Sequence, residues 1–149
     1  MPAEAAYFDS AYLFKLYWNE RGSNEVRAFA AGCSQLACAA HGRAEVAAAA
    51  HRKLREGMAQ PHQIHAVFGQ FKADGDAGGI LFLPLTEEII DRVEKMFRDL
   101  MAPVFLRAGD ALHLACAAQN GYSSIYSNDN RLLEAAPLFG LKGIVLPAA

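Results

Sequence analysis

Short apolar runs alternate with helical patterns along the whole chain. Ala5-Ala6-Tyr7-Phe8-Asp9 predicts a buried strand that ends on a carboxylate. Ser10 is read as the N-cap of a helix over Ala11–Trp18, which is apolar nearly all round and therefore buried on more than one side. Gly22-Ser23-Asn24 breaks that helix, and Asn24 caps a short one running to about Ala31. Cys33–Ala40 is a second apolar run, ended by His41-Gly42. Arg43–Glu56 is an Ala-rich helix that stops at Gly57, a residue suited to the position after a helix end. Gln60-Pro61 opens the next helix, in which Ile64, Val67, Phe68 and Phe71 share a face, and the pattern dissolves in Asp74–Gly79. Ile80–Leu83 predicts a third strand closed by Pro84. Thr86, Glu87 and Glu88 start the most regular amphipathic helix, with Ile89, Ile90, Val93, Met96, Phe97, Leu100 and Met101 on its apolar face. Arg107-Ala108-Gly109-Asp110 leads into a buried helix over Ala111–Ala118. Ser124–Ser127 is a fourth strand, Arg131–Phe139 is helical around Pro137, and Gly143–Leu146 is a final strand.

Short apolar strands alternating with helices indicate an α/β fold with a mainly parallel sheet, since strands buried on both faces read as continuous apolar runs. The sequence has no internal repeat, low-complexity stretch or linker, and one domain over 1–149, with a core of about 5–146, is expected.

Composition narrows the class. The 149 residues are 53% hydrophobic and 20% charged, too apolar for a disordered chain. No apolar run approaches the ~18 residues of a membrane span, and Met1-Pro2-Ala3-Glu4 carries no leader pattern. A cytoplasmic protein without membrane contact is expected. Cys33, Cys38 and Cys116 have no C-x-x-C spacing, so they are read as small buried hydrophobes rather than a disulfide or zinc framework. A formal net charge of −2 argues mildly against a nucleic-acid binder. Setting aside four acids as one cluster, however, leaves the remainder at +2, so the balance decides little.

Ligands of open parallel sheets bind beyond the carboxyl ends of the strands. Asp9 follows strand one there, and Asp129 follows strand four. Asp110 opens one helix and Glu45 lies in the first turn of another. Each of these two is equally at home as an ordinary first-turn charge. Asp9 is harder to dismiss, because a charge ending an apolar strand needs a partner or a cation. Four convergent carboxylates would repel one another, and a hard divalent cation resolves this; oxygen donors suit Mg²⁺ or Mn²⁺.

These residues also carry a resemblance. Tyr7-Phe8-Asp9-Ser10, Ala44-Glu45-Val46, Arg107–Ala115 and Ser127-Asn128-Asp129-Asn130-Arg131-Leu132 resemble, in order, the motifs of PIN domains, above all VapC-type toxins of toxin–antitoxin modules. The resemblance implies a three-layer α/β/α sandwich and a Mg²⁺- or Mn²⁺-dependent endoribonuclease that leaves 5′-phosphate and 3′-hydroxyl ends. It places the metal-binding and catalytic acids at Asp9, Glu45, Asp110 and Asp129. It further implies a homodimer, an RNA substrate and a small antitoxin partner, with no DNA binding by this chain alone. Ser10 and Ser127 stand where the family often has a hydroxyl beside the acids, and Asn128 is a weaker supporting candidate. His41 departs from the Ser or Thr that commonly starts the run to the glutamate.

Other polar residues have plainer readings. His62 and His65 share a helix face but lack further nitrogen or sulfur ligands for zinc. His113, three residues after Asp110, is read as a hydrogen-bonding residue behind the acids rather than a catalyst. The basic run His51-Arg52-Lys53-Arg55 reads first as a solvated helix face. Arg52 is two turns from Glu45 and offers the alternative of leading a phosphate backbone to the site. The aromatic helix with Tyr12, Phe14, Tyr17 and Trp18 reads as core, with surplus apolar surface for a partner helix. Two other functions stay open: a catalytically silent interaction module of the same fold, and an RNA-processing nuclease outside any toxin–antitoxin system. A phosphoacceptor signalling domain is disfavoured, because Asp9 has no acidic neighbour and Lys142 precedes its strand.

Overall fold

The computed structural model describes residues 4–147. Five strands are threaded by seven α-helices in the order β1 (Ala5–Tyr7), α1 (Ser10–Lys15), α2 (Ser23–Ala31), β2 (Gln35–Ala39), α3 (Gly42–Arg55), α4 (Pro61–Asp76), β3 (Ile80–Leu83), α5 (Glu87–Asp99), α6 (Ala108–Gln119), β4 (Ser124–Tyr126), α7 (Asn130–Ala135) and β5 (Lys142–Ile144), with a 3₁₀ turn at Ala136–Phe139.

All strand pairs are parallel. β1 pairs β2 with Tyr7 opposite Ala37, β2 pairs β3 with Ala39 opposite Leu83, and β4 pairs β5 with Ile125 opposite Gly143. A single parallel bridge from Phe8 to Tyr126 joins the two groups, and the Asp9 amide extends the seam to the Tyr126 carbonyl at 3.1 Å. The resulting order is β3-β2-β1-β4-β5, which reverses direction between β1 and β4. A crevice opens at such a reversal beyond the carboxyl ends of the strands.

Strand alternation distributes the core to both faces. Tyr7, Ala37, Ala39, Leu83 and Ile125 pack against α5, α6 and α7, whereas Ala6, Phe8, Leu36, Cys38, Ile80 and Tyr126 pack against α1 to α4. This is the expected three-layer α/β/α sandwich. Its close approach of α3 to β2 depends on Gly42, where a Cβ would lie 2.4 Å from the Cys38 sulfur.

Several boundaries differ from the sequence reading. Ser10 is not the N-cap of α1: Asp9 is, its Oδ1 accepting the Tyr12 amide at 2.9 Å. The helix ends at Lys15, because Leu16 and Tyr17 turn their amides to carbonyls three residues back. Asn24 lies inside α2, which starts from Gly22 in a left-handed conformation at φ 87°. The α4 helix continues through Asp74 and Asp76, because Gln70 and Lys72 hold them one turn on and Gly75 lets the helix approach Phe82. The last strand is Lys142–Ile144, and the Leu146 amide instead reaches the Tyr12 hydroxyl at 2.8 Å. No helix among the described residues is long and apolar enough to cross a membrane.

Candidate active site

Four elements deliver one acid each to the crevice. Asp9 caps α1 at the end of β1, and Asp129 caps α7 just after β4. Glu45 and Asp110 lie in the first turns of α3 and α6. All four line one cavity of about 340 Å³, together with Ser10, Ala11, Arg107, Gly109 and Asn128. The sequence candidates Ser127 and His113 lie behind this wall, both buried. Arg52 stands outside it, in a groove of about 680 Å³ that shares Ser10, Ala11 and Glu45 with the acid cavity and runs along α3 to Lys53 and Arg55. Arg52 pairs with Glu56 at 3.4 Å there.

Asp9 is only 4% exposed. Its Oδ1 takes the Tyr12 amide and its Oδ2 accepts the Ser127 hydroxyl at 2.6 Å; Ser127 in turn accepts the Asp129 amide at 2.9 Å. Ser127 thus ties two acids into one frame. Burial outweighs these bonds and pushes the Asp9 carboxyl up to about 6. Burial, with the field of Asp129, also raises Asp110, against the pull of Arg107.

Glu45 is held from behind. The Ala39 amide donates to the Tyr7 hydroxyl at 2.9 Å, which sends its own proton to His113 Nδ1 at 2.7 Å. That fixes the His113 proton on Nε2, which donates to Glu45 Oε1 at 2.5 Å. Ser10 lies beside Glu45 in the cavity wall, where its hydroxyl helps to lower that carboxyl. Burial acts to raise this carboxyl, yet the His113 bond and the two nearby imidazoles bring it below its ordinary value. His41 packs against His113 with ring centroids 4.2 Å apart and planes tilted by 38°, and donates from Nε2 to the Gly109 carbonyl at 3.0 Å, leaving its buried Nδ1 without a partner.

Sequence reasoning missed three of these residues. Tyr7 and His41 act across 106 and 68 positions, beyond any local pattern. Arg107 carried a visible signal, since it lies three residues before Asp110. Its Nε donates to Asp110 Oδ2 at 3.2 Å and its Nη2 to Asp129 Oδ2 at 2.7 Å.

The donor set can be weighed against a metal. Among the described residues, the one group of three or more His, Cys, Asp or Glu with ligand atoms all within 4.8 Å is His41, Glu45 and His113. The nitrogen that His113 turns to Glu45 already carries a proton, so this group is a hydrogen-bond cluster rather than a free ligand set. The four acids form a wider ring. That suits a hard cation such as Mg²⁺, which takes one or two carboxylates directly and keeps several waters.

No curated protein sequence matches the chain. The structure is similar to that of a toxin–antitoxin complex from Klebsiella pneumoniae, at 18% identity and a TM-score of 0.61 over 95% of this chain and 96% of that one. It also resembles VapBC2 from Rickettsia felis bound to a DNA fragment from their promoter, at 11% identity and a TM-score of 0.67 over 96% and 99%. FitAcB from Neisseria gonorrhoeae aligns at 14% identity and a TM-score of 0.69 over 93% and 96%. These likenesses agree with the fold, and the PIN domain model matches residues 6–137. With a family match over nearly the whole sheet and its helices, the chain belongs to the PIN domain family.

Proposed function

We propose that this protein is a divalent-metal-dependent endoribonuclease, the VapC-type toxin of a toxin–antitoxin pair, acting as one domain in the cytoplasm. The observation that carries this reading is the meeting of Asp9, Glu45, Asp110 and Asp129 around a single cavity at the sheet's reversal point. Mg²⁺ or Mn²⁺, once held among these acids, would supply a Lewis acid to activate water and stabilise charge on the leaving oxygen. Hydrolysis then adds water at phosphorus and releases the 3′-oxygen, leaving a 5′-phosphate.

The chain's own residues do the positioning. Ser127 and the Tyr12 amide hold Asp9, while His113 holds Glu45 with Ser10 beside it, so neither carboxylate reorients at the moment of reaction. Asn128 lines the cavity and offers an amide to the substrate. Arg52, with Lys53 and Arg55 beside it, leads the RNA backbone along the α3 groove. Exposed Phe97, Met101, Val104 and Phe105 favour a partner surface, in keeping with a homodimer. The similar complexes supply the ground for an antitoxin partner.

The test is cleavage of a mixed RNA pool by purified protein with Mg²⁺, Mn²⁺ or EDTA, beside Asp9→Asn. Metal-dependent products with 5′-phosphate ends, absent in the variant, are expected. No cleavage together with no divalent-ion binding would leave the silent interaction module as the reading. Cleavage by a protein with no antitoxin encoded beside it would favour an RNA-processing role.

A further inference from the structure

Among the described residues, Arg107 is the one cation lining the acid cavity. Its guanidinium bridges the acid in the first turn of α6 and the acid that follows β4, taking Oδ2 of Asp110 and Oδ2 of Asp129 with two different nitrogens. The backbone does not require it there: Arg107 is the N-cap residue of α6 but makes no capping bond with its side chain. Its side chain is 56% exposed, so the head can swing with little packing to lose. Two of its five N–H donors are engaged by these acids, which leaves donors for another oxygen.

The acids it bridges depend on some cation. Asp110 is only partly exposed and shares one cavity with Asp9, Glu45 and Asp129, so four carboxylates gather around a single guanidinium. Asp129 spends Oδ1 on the Arg131 and Leu132 amides, so Oδ2 is its free oxygen. The guanidinium takes that oxygen. A metal bound to Asp129 through that Oδ2 would meet the guanidinium there, so the two cations compete for it. A compact divalent ion has the higher charge density and wins at this oxygen, which returns a planar fork of donors to the cavity rim. Such a fork matches a phosphate in two-point geometry better than any other side chain.

We infer that Arg107 is an exchangeable counter-ion of the acid cluster, bridging Asp110 and Asp129 without metal and transferring to the RNA phosphate once a divalent ion takes the Asp129 oxygen. This rests on the metal-dependent ribonuclease reading. It makes Arg107 a residue of two positions, one that restrains the acids and one that touches substrate. It also means that the protein spends part of its metal affinity on releasing its own arginine.

The test compares wild type, Arg107→Gln and Arg107→Lys, with Lys95→Gln on the far α5 helix as a surface control. Mn²⁺ binding to metal-free protein is followed by calorimetry, thermal midpoints are read in EDTA, and KM for an RNA substrate is read at saturating Mn²⁺. Arg107→Gln is expected to bind Mn²⁺ about three- to tenfold tighter, the range for losing one or two partly exposed ion pairs. Its midpoint in EDTA falls, and its KM for RNA rises severalfold. Arg107→Lys, a point charge without the fork, lies between. A residue with only a structural role would lower the midpoint without tightening the metal. Unchanged or weaker Mn²⁺ binding in Arg107→Gln, beside a wild type that binds the ion, overturns this assignment alone. An unchanged KM overturns the transfer to phosphate. A wild type with no Mn²⁺ affinity overturns the nuclease reading and this inference together.

Discussion

Replacing Asp9 with Asn separates what the acid costs the fold from what it gives the site. Burial raises its carboxyl from 3.8 to about 6. Between those values the unfolded chain has released the proton that the native state keeps, so stability falls as pH rises through the window. Below about pH 3.8 there is no penalty. Above pH 6 it is complete, at roughly 3 kcal/mol for a displacement of ~2.2 units. Asn carries no charge and caps α1 as well as Asp does. It does disturb the Ser127 contact, at a cost of about 1 kcal/mol. Asp9→Asn is therefore expected to gain about 1–2 kcal/mol at pH 7.5 in EDTA, a rise of roughly 3–8 °C in Tm for a chain of this length. Urea unfolding monitored by circular dichroism at pH 7.5 and 4.5 measures it directly. The gain should shrink to near zero at the lower pH, where most of the wild-type penalty is gone. Adding Mg²⁺ should stabilise wild type and leave the variant unchanged. A variant no more stable than wild type at pH 7.5, or an equal gain at both pH values, refutes the premise that the buried charge of Asp9 is uncompensated without a cation.

Other substitutions probe the supporting residues. His113→Ala removes the acceptor of the Tyr7 hydroxyl and a donor to Glu45 and opens a buried void, and a loss of about 2–4 kcal/mol in urea is expected; His113→Gln keeps a donor toward Glu45 and should recover part of it and most of the Mn²⁺ affinity. Gly42→Ala drives a methyl into the Cys38 sulfur and should cost about 1–3 kcal/mol, while Cys38→Ala in the same chain relieves the clash, so that a double-mutant cycle shows favourable coupling. Arg52→Gln should leave Tm unchanged, raise KM for RNA severalfold irrespective of sequence, and lower the salt slope of binding by about one.

The elements were largely legible because their physics is local. Apolar runs such as Ile80–Leu83 and the i, i+3, i+4 pattern of α5 report burial directly, and Thr86 caps α5 as its position indicates. The misplaced ends have equally local causes. Asp9 and Ser10 are both good caps one position apart, and only the path of the backbone after β1 chose the acid. Asp74-Gly75-Asp76 has the composition of a loop, yet side-chain pairs one turn back and the fit of Gly75 under Phe82 keep it helical.

The candidate site divides along the same line. Which residues carry its charge is written in the chain, because each acid falls at a strand end or a helix start. The parallel sheet then collects them at one edge, since βα units all present the same end of their strands. How those acids are held was decided by the tertiary structure alone. The Tyr7–His113–Glu45 chain, the His41–His113 ring contact and the Arg107 bridge join residues from β1 and from the starts of α3, α6 and α7. Their roles depend on tautomers, burial and distances that arise only when the sheet brings those elements into register. A sequence can specify the acids, but the pKa of Asp9 and the exchangeable place of Arg107 are properties of the packed crevice, where desolvation and nearby charge set the free energy.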